Sequence, residues 1–411
     1  MRYKAIVIGG GPAGMAAALA VDKQEKVLLI EREGRLGGIL KQCVHDGFGV
    51  IRFGEKLSGP EYAQRFIDEI DKSDNIDVKL WNFVISIRKE NDVFYITTTS
   101  ADGITTYEGE NLILANGCRE RTARQVNIHG TRPAGIMTAG VAQNYVNIMG
   151  ALPTKKCVIL GSGDIGLIMA RRLTLEGAKV VGVFEAKSTP SGLSRNLQQC
   201  LYDFGIPLHL SKTVTRVFGD KRVEKVEIMS VDEKMNPIKG TEELIECDAL
   251  ILSVGLIPEN ELAESLNIAI DPCTKGPFVD QNMQTQEDGV YSVGNALHVH
   301  DLVDYVSEVS EIAGRNVSNR TKRQLIKVEK EGFLYAVPQL IDVNNENKSY
   351  TFYFRSSCDH EKAIFRVLSD GKEVFSKKYT YLKPPEMEKV TVPLSLTKDS
   401  KIKLVLEGKD D

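Results

Sequence analysis

The chain has 411 residues, too many for one ordinary domain and suited to two or three. Its apolar share is 42% and its charged share 26%, enough to bury sizeable cores. A formal net charge of −4 with interspersed signs gives no electrostatic footprint for nucleic acid. Apolar runs such as residues 15–21 and 249–257 are far too short for a membrane span. Met1 leads through Arg2, Tyr3 and Lys4 straight into a strand-like run, so no secretory signal is expected.

Seven cysteines (Cys43, Cys118, Cys157, Cys200, Cys247, Cys273, Cys358) are scattered, and no pair stands at Cys-x-x-Cys spacing. Free thiols in a reducing cytoplasm are therefore expected, with no metal site.

In chain order, Ala5-Ile6-Val7-Ile8 reads as a parallel strand buried on both faces. Gly9-Gly10-Gly11-Pro12-Ala13-Gly14 follows, then an alanine-rich helix over Met15 to Val21 and a second strand, Val27 to Ile30, closed by Glu31. From Lys79 to Gly117 the pattern changes to alternating strands (Phe83 to Arg88, Val93 to Thr98, Ile104 to Tyr107), an antiparallel meander set into an α/β domain. It returns to the apolar strand Leu112 to Ala115.

The same grammar then recurs. Lys156 to Leu160 leads into Gly161-Ser162-Gly163-Asp164-Ile165-Gly166, a helix to Glu176, and a strand Lys179 to Phe184 ended by Glu185. A further meander and closing strand follow, within Val214 to Ser230 and Glu243 to Val254. Beyond residue 325 the segments are short and β-rich: Ser349 to Phe354, Ala363 to Leu368, Glu373 to Leu382, Lys389 to Leu396 and Lys401 to Leu406. That rhythm fits a small β-sandwich whose expected role is an interface.

Each G-x-G-x-x-G sits between a buried strand and a helix. The first glycine (Gly9, Gly161) allows the tight turn, and the second (Gly11, Gly163) lets a pyrophosphate approach the backbone. The third (Gly14, Gly166) lets helix pack on strand. The helix N-terminus offers unpaired N–H groups to the phosphates. An acidic residue, Glu31 or Glu185, stands about 20 residues on in each copy and is placed to accept hydrogen bonds from ribose hydroxyls.

Thr285-Gln286-Glu287-Asp288-Gly289-Val290-Tyr291-Ser292-Val293-Gly294-Asn295 resembles the second flavin-binding motif of the pyridine nucleotide-disulfide oxidoreductase superfamily. There the last polar residue holds the ribityl chain of FAD. This chain has Asn295 where the family usually has Asp. Ile113-Leu114-Ala115-Asn116-Gly117 likewise resembles the family's Ala-Thr-Gly turn, with Asn116 in place of Thr.

The resemblance implies an α/β fold of two nested Rossmann-like dinucleotide-binding domains of the three-layer ββα type, followed by a small all-β sandwich. FAD is expected in residues 1–120 plus 258–325, NAD(H) in the inserted 121–257, and the sandwich at 326–411. The implied FAD residues are Gly9, Gly11, Pro12, Ala13, Gly14, Glu31, Arg32, Gly38, Ala115, Asn116, Gly117, Gly294, Asn295 and His300. Those for NAD are Gly161, Gly163, Asp164, Ile165, Gly166 and Glu185, with NADH expected over NADPH.

Gly37-Gly38-Ile39-Leu40-Lys41-Gln42-Cys43-Val44-His45-Asp46-Gly47-Phe48-Gly49 stands where disulfide reductases of the family carry a Cys-x4-Cys pair. Only one cysteine is present. With Thr131-Arg132-Pro133-Ala134-Gly135 and Gly294 to Tyr305, the chain is similar to the branch that lacks the redox disulfide. That branch includes the flavin subunits of hydrogen cyanide synthase, opine oxidases and dye-linked proline dehydrogenases, and companions of glycerol-3-phosphate dehydrogenase-like flavoproteins. Many relatives continue into a cysteine-rich [2Fe–2S] segment; Cys358 alone follows here, so no cluster is expected.

Cys43 reads either as a redox thiol beside the flavin or as a small packing residue. His45 reads as a residue that tunes the flavin or protonates a product. For His298 and His300, hydrogen bonding in the flavin loop is favoured over metal binding. The expected activity is hydride transfer between NADH and FAD, with electrons passed to a small-molecule or protein acceptor. The alternative is a component of a heteromeric dehydrogenase that serves electron transfer or assembly and has no substrate of its own. A dehydrogenase or electron-transfer partner is expected, as is an oligomer, without nucleic acid or membrane span.

Overall fold

The parallel sheet begins as the sequence pattern requires. In the computed structural model, which describes residues 2–318, 322–345 and 348–408, the strand Arg2–Ile8 lies between Val27–Ile30 and Gly103–Leu114, parallel to both. Ile76–Lys79 extends the sheet beyond Val27–Ile30, and Val290–Ser292 pairs parallel with Gly103–Leu114. Both faces are covered. Ala5 and Val7 pack toward the helices, while Ile6 and Ile8 pack toward the meander. Met1 lies outside the described residues.

Two expected elements differ in extent. The first helix is Pro12–Leu19, starting earlier than Met15, because Gly11 is its N-cap and Pro12 fits the first turn, where no N–H partner is needed. The segments expected as separate strands at Ile104 and Leu112 form one strand, Gly103–Leu114. Its first half pairs antiparallel with Val93–Ser100 and its second half parallel with Arg2–Ile8.

Residues 119–257 form a second compact unit with the same plan. Its parallel strands run in the order Ile136–Thr138, Ala249–Leu252, Lys156–Leu160, Lys179–Phe184, Leu208–His209. Cys157 and Ile159 face its helices, while Val158 and Leu160 face an antiparallel meander of Lys212–Phe218, Lys225–Ser230 and Glu243–Glu246.

The C-terminal residues build two sheets around their own core, which contains Phe333, Phe352, Phe354 and Phe365. Three strands not anticipated from the sequence, Leu325–Glu331, Phe333–Val337 and Leu340–Asp342, complete this sandwich. It belongs to the same compact unit as residues 2–118 and 258–318. Arg355 joins them: its guanidinium donates to the Asp301 carboxylate, to Tyr335 Oη at 3.0 Å and to the Pro385 carbonyl. Glu308 accepts from Tyr353 Oη at 3.0 Å and pairs with Lys389 at 2.8 Å.

Candidate dinucleotide-binding sites

Gly9 sits at φ +109°, and a Cβ there would stand 2.3 Å from the Ala115 carbonyl oxygen. Gly161 matches it, at φ +101° and 2.0 Å from the Ser253 oxygen. The protein's own backbone therefore demands glycine at both positions. The second glycines differ. A Cβ on Gly11 would meet nothing closer than Gly38 Cα at 3.8 Å, and one on Gly163 would meet nothing within 4 Å. Nothing in the folded chain requires glycine there, so the space suits an approaching ligand. The residues present fit a dinucleotide in each fold.

The acids repeat the symmetry in hydrogen bonds. Glu31 Oε2 accepts from the Gly10 N–H at 2.7 Å, and its Oε1 from the Glu33 N–H at 2.8 Å. Glu185 Oε2 accepts from the Ser162 N–H at 3.0 Å, and its Oε1 from the Lys187 N–H at 3.1 Å. Ser162 Oγ at 2.6 Å and Ser191 Oγ at 3.3 Å add two bonds to Glu185 Oε2. Both carboxylates are buried. Oε1 of each carboxylate accepts only one of these bonds and so retains a lone pair for a ribose hydroxyl. Asp164 accepts from the Leu193 N–H at 2.9 Å and the Asn196 amide at 2.7 Å, which folds the loop after Glu185 onto the glycine turn. Ile165 is partly exposed at that helix start.

In the first fold, Gly38 and Gly294 converge on the glycine turn. A Cβ on Gly38 would come within 2.9 Å of Gly11 Cα, and one on Gly294 within 2.7 Å of Ala13 Cβ. Pro12 opens the helix beside them. Asn116 donates to the Glu259 carbonyl, and its buried Oδ1 has no partner among the described residues. Gly117 follows at φ +75°, and Arg32 pairs with Glu259 at 3.4 Å. Asn295 Oδ1 accepts from the His300 N–H at 3.1 Å, so this turn also sets the course of the next segment.

Cys43 ends the short 3-10 helix Gly38–Gln42, its thiol 3.4 Å from the Ile39 carbonyl. Burial pushes that thiol up to about 12, so it is protonated at neutral pH. No disulfide joins any two of the seven cysteines in this structure. His45 packs its ring 5.0 Å from that of Phe48. His298 and His300 stack at 3.9 Å, with Tyr335 of the sandwich 5.4 Å from His298. Burial holds His298 well below the usual histidine range and lowers His300 to about 3. Both rings are therefore neutral, and none of their ring nitrogens finds a partner among the described residues.

Sequence reasoning passed over Asp304. Its buried carboxylate accepts from the Arg52 N–H at 2.8 Å and the Gly49 N–H at 3.3 Å, tying the His45 loop to the helix Val303–Asn316. The available signal was an acid in the first turn of a helix that follows a flavin-type strand.

The family model for pyridine nucleotide-disulphide oxidoreductases matches residues 3–317. The chain belongs to this family. An NAD(P)H coenzyme A polysulfide/persulfide reductase of Pyrococcus horikoshii is 26% identical over 74% of the chain, and the match spans 64% of that relative's length, less than two thirds. Hydrogen cyanide synthase subunit HcnB of Pseudomonas aeruginosa is 25% identical over 77% of the chain and 70% of HcnB. Among solved structures, Lactococcus lactis thioredoxin reductase superposes with a TM-score of 0.64 at 20% identity, covering 77% of this chain and 98% of the reductase. That likeness concerns the fold. Among the described residues no helix is long and apolar enough to cross a membrane.

Proposed function

We propose that this chain is an FAD-dependent oxidoreductase that accepts electrons from NADH and passes them to a separate acceptor. The observation that carries the reading is the doubled cradle: two glycine turns whose second glycine no protein atom requires, each beside a buried acid held by equivalent hydrogen bonds. FAD would supply the ring that exchanges a hydride with the nicotinamide. The chain's own work is positioning. Gly11, Gly14 and Glu31 would hold the FAD pyrophosphate and adenosine ribose, while Gly294, Asn295 and the Val303–Asn316 helix start would set the flavin end. Gly163, Gly166 and Glu185 would hold the nicotinamide dinucleotide.

Cys43, protonated and buried, serves as packing beside the cofactor. Neutral His298 and His300 offer hydrogen bonds to the flavin region without adding charge. His45, in the loop that Asp304 anchors, would tune the flavin or protonate a product.

Anaerobic mixing of the purified yellow protein with NADH tests this reading. Rapid bleaching of the flavin band supports it, and absence of bleaching with FAD bound overturns it. A second reading has a specific motive: HcnB and the similar opine oxidase chain of Agrobacterium tumefaciens both bear the names of enzyme subunits. On that reading the chain is an electron-transfer component whose C-terminal sandwich docks a dehydrogenase. Slow or absent bleaching by NADH, with reduction through a co-purifying partner, would favour it.

A further inference from the structure

The sheet order of the first fold assigns a direction to any dinucleotide lying across it. Ile76–Lys79, Val27–Ile30 and Arg2–Ile8 are neighbours, all parallel, so their carboxyl ends form one edge. The glycine turn for the pyrophosphate follows Arg2–Ile8, and the ribose acid Glu31 follows Val27–Ile30. The next group along that edge is the adenine, and the next strand end is that of Ile76–Lys79. Two residues beyond it stands Trp81, the single tryptophan of the chain.

Trp81 is held in an uncommon state. Its φ is +58°, a region that bulky side chains rarely occupy, and it remains 69% exposed. Its N–H donates to the Glu33 carbonyl at 3.2 Å, and the following Asn82 N–H to the Glu31 carbonyl at 3.0 Å. The indole lies against Gly34, where a Cβ would come within 2.2 Å of its ring. The loop carrying the ribose acid and the loop carrying the tryptophan are therefore stitched together, with glycine opposite the ring. Strain of this kind persists where surrounding structure enforces it.

We propose that Trp81 is the aromatic surface on which the adenine of FAD packs, an inference that rests on the placement of FAD in the first fold. Stacking on an indole is tolerant of orientation and suits a flat base at an open edge.

The full chain, stripped of FAD, provides the test, because one tryptophan reports one place. ADP, which lacks the flavin, is titrated in a Gly163→Val background that keeps it from the second fold, and tryptophan emission is followed. Trp81→Ala is expected to weaken FAD binding about tenfold, equivalent to about 1.4 kcal/mol. Trp81→Phe should recover most of that loss. Trp81→Asn, which tolerates positive φ, keeps the loop unstrained while removing the indole, and should bind FAD as poorly as Trp81→Ala. Quenching of the emission on ADP uptake is expected; uptake of ADP by the stripped protein without a change in emission overturns the proposal, as does a Trp81→Ala variant binding FAD within twofold of the parent. Failure of the parent to take up FAD at all is a different outcome: it removes the placement of the cofactor, and the proposal with it.

Discussion

Glu185 and Ser162 are joined twice: the serine donates to Oε2 of the carboxylate through its backbone N–H at 3.0 Å and through its hydroxyl at 2.6 Å. The acid therefore braces the glycine turn that precedes it. Its Oε1, bonded only to the Lys187 N–H among the described residues, is the oxygen with room for a ribose hydroxyl.

Cofactor preference follows from that carboxylate. A 2′-phosphate would bring about two negative charges against Glu185, so NADH should exceed NADPH in steady-state rate. Lys187, exposed two residues on, is the nearest base in sequence able to offset this. Glu185→Gln keeps the shape and should raise the KM for NADH about tenfold, the loss of a charge-assisted bond of about 1.5 kcal/mol. NADPH turnover should stay level or rise. Parent rates with NADPH equal to or above those with NADH would contradict the ribose role of Glu185.

The glycines separate folding from binding. Gly11→Ala and Gly163→Ala add a Cβ where the chain leaves space, so both variants, stripped of FAD, should melt close to the stripped parent. Gly11→Ala should carry much less FAD, and Gly11→Val none. Gly14→Ala places a Cβ 1.8 Å from the Gly9 oxygen and should destabilise the fold itself. Thermal melts and flavin absorbance per chain measure the two effects independently. Loss of folding in Gly11→Ala would show that the gap has a structural purpose.

For Cys43 the expected result is indifference. Cys43→Ser should keep NADH-driven dye reduction within a few-fold of the parent. Because burial raises the folded thiol to about 12, the unfolded chain ionises first as pH rises. Cys43 thus contributes stability that is complete below about pH 8.5 and lost progressively toward pH 12. Alkylation mapped by mass spectrometry at pH 8 should mark the exposed Cys273 and Cys358 long before Cys43. Rapid labelling of Cys43 would restore the redox reading.

Acid should act through the stacked histidines. With His300 lowered to about 3, the unfolded chain binds its proton near pH 6.5 while the folded chain excludes it. This contribution is complete above pH 6.5 and falls with pH, by about 3 kcal/mol at pH 4. His300→Gln should flatten the decline of melting temperature between pH 6.5 and 4. An unchanged slope would place the acid sensitivity elsewhere.

Much of this protein was legible in the amino-acid order because its determinants are local. A buried strand, a glycine turn, a helix and an acid about 20 residues on are read from adjacent residues, and their repetition announced the second fold. The five β segments beyond residue 325 were legible from alternation, whereas Leu325–Glu331, Phe333–Val337 and Leu340–Asp342 were missed beside the boundary expected at 325/326. What the tertiary structure alone decided depends on residues distant in sequence. Asp304 reaches back to Gly49 and Arg52, and Arg355 spans Asp301, Tyr335 and Pro385. The neutrality of His298 and His300 and the protonation of Cys43 arise from burial by distant elements, a desolvation that no local pattern encodes. The two kinds of glycine show the same division: the motif assigns Gly9 and Gly11 different roles, but only the packed chain puts Ala115 against one and leaves space beside the other.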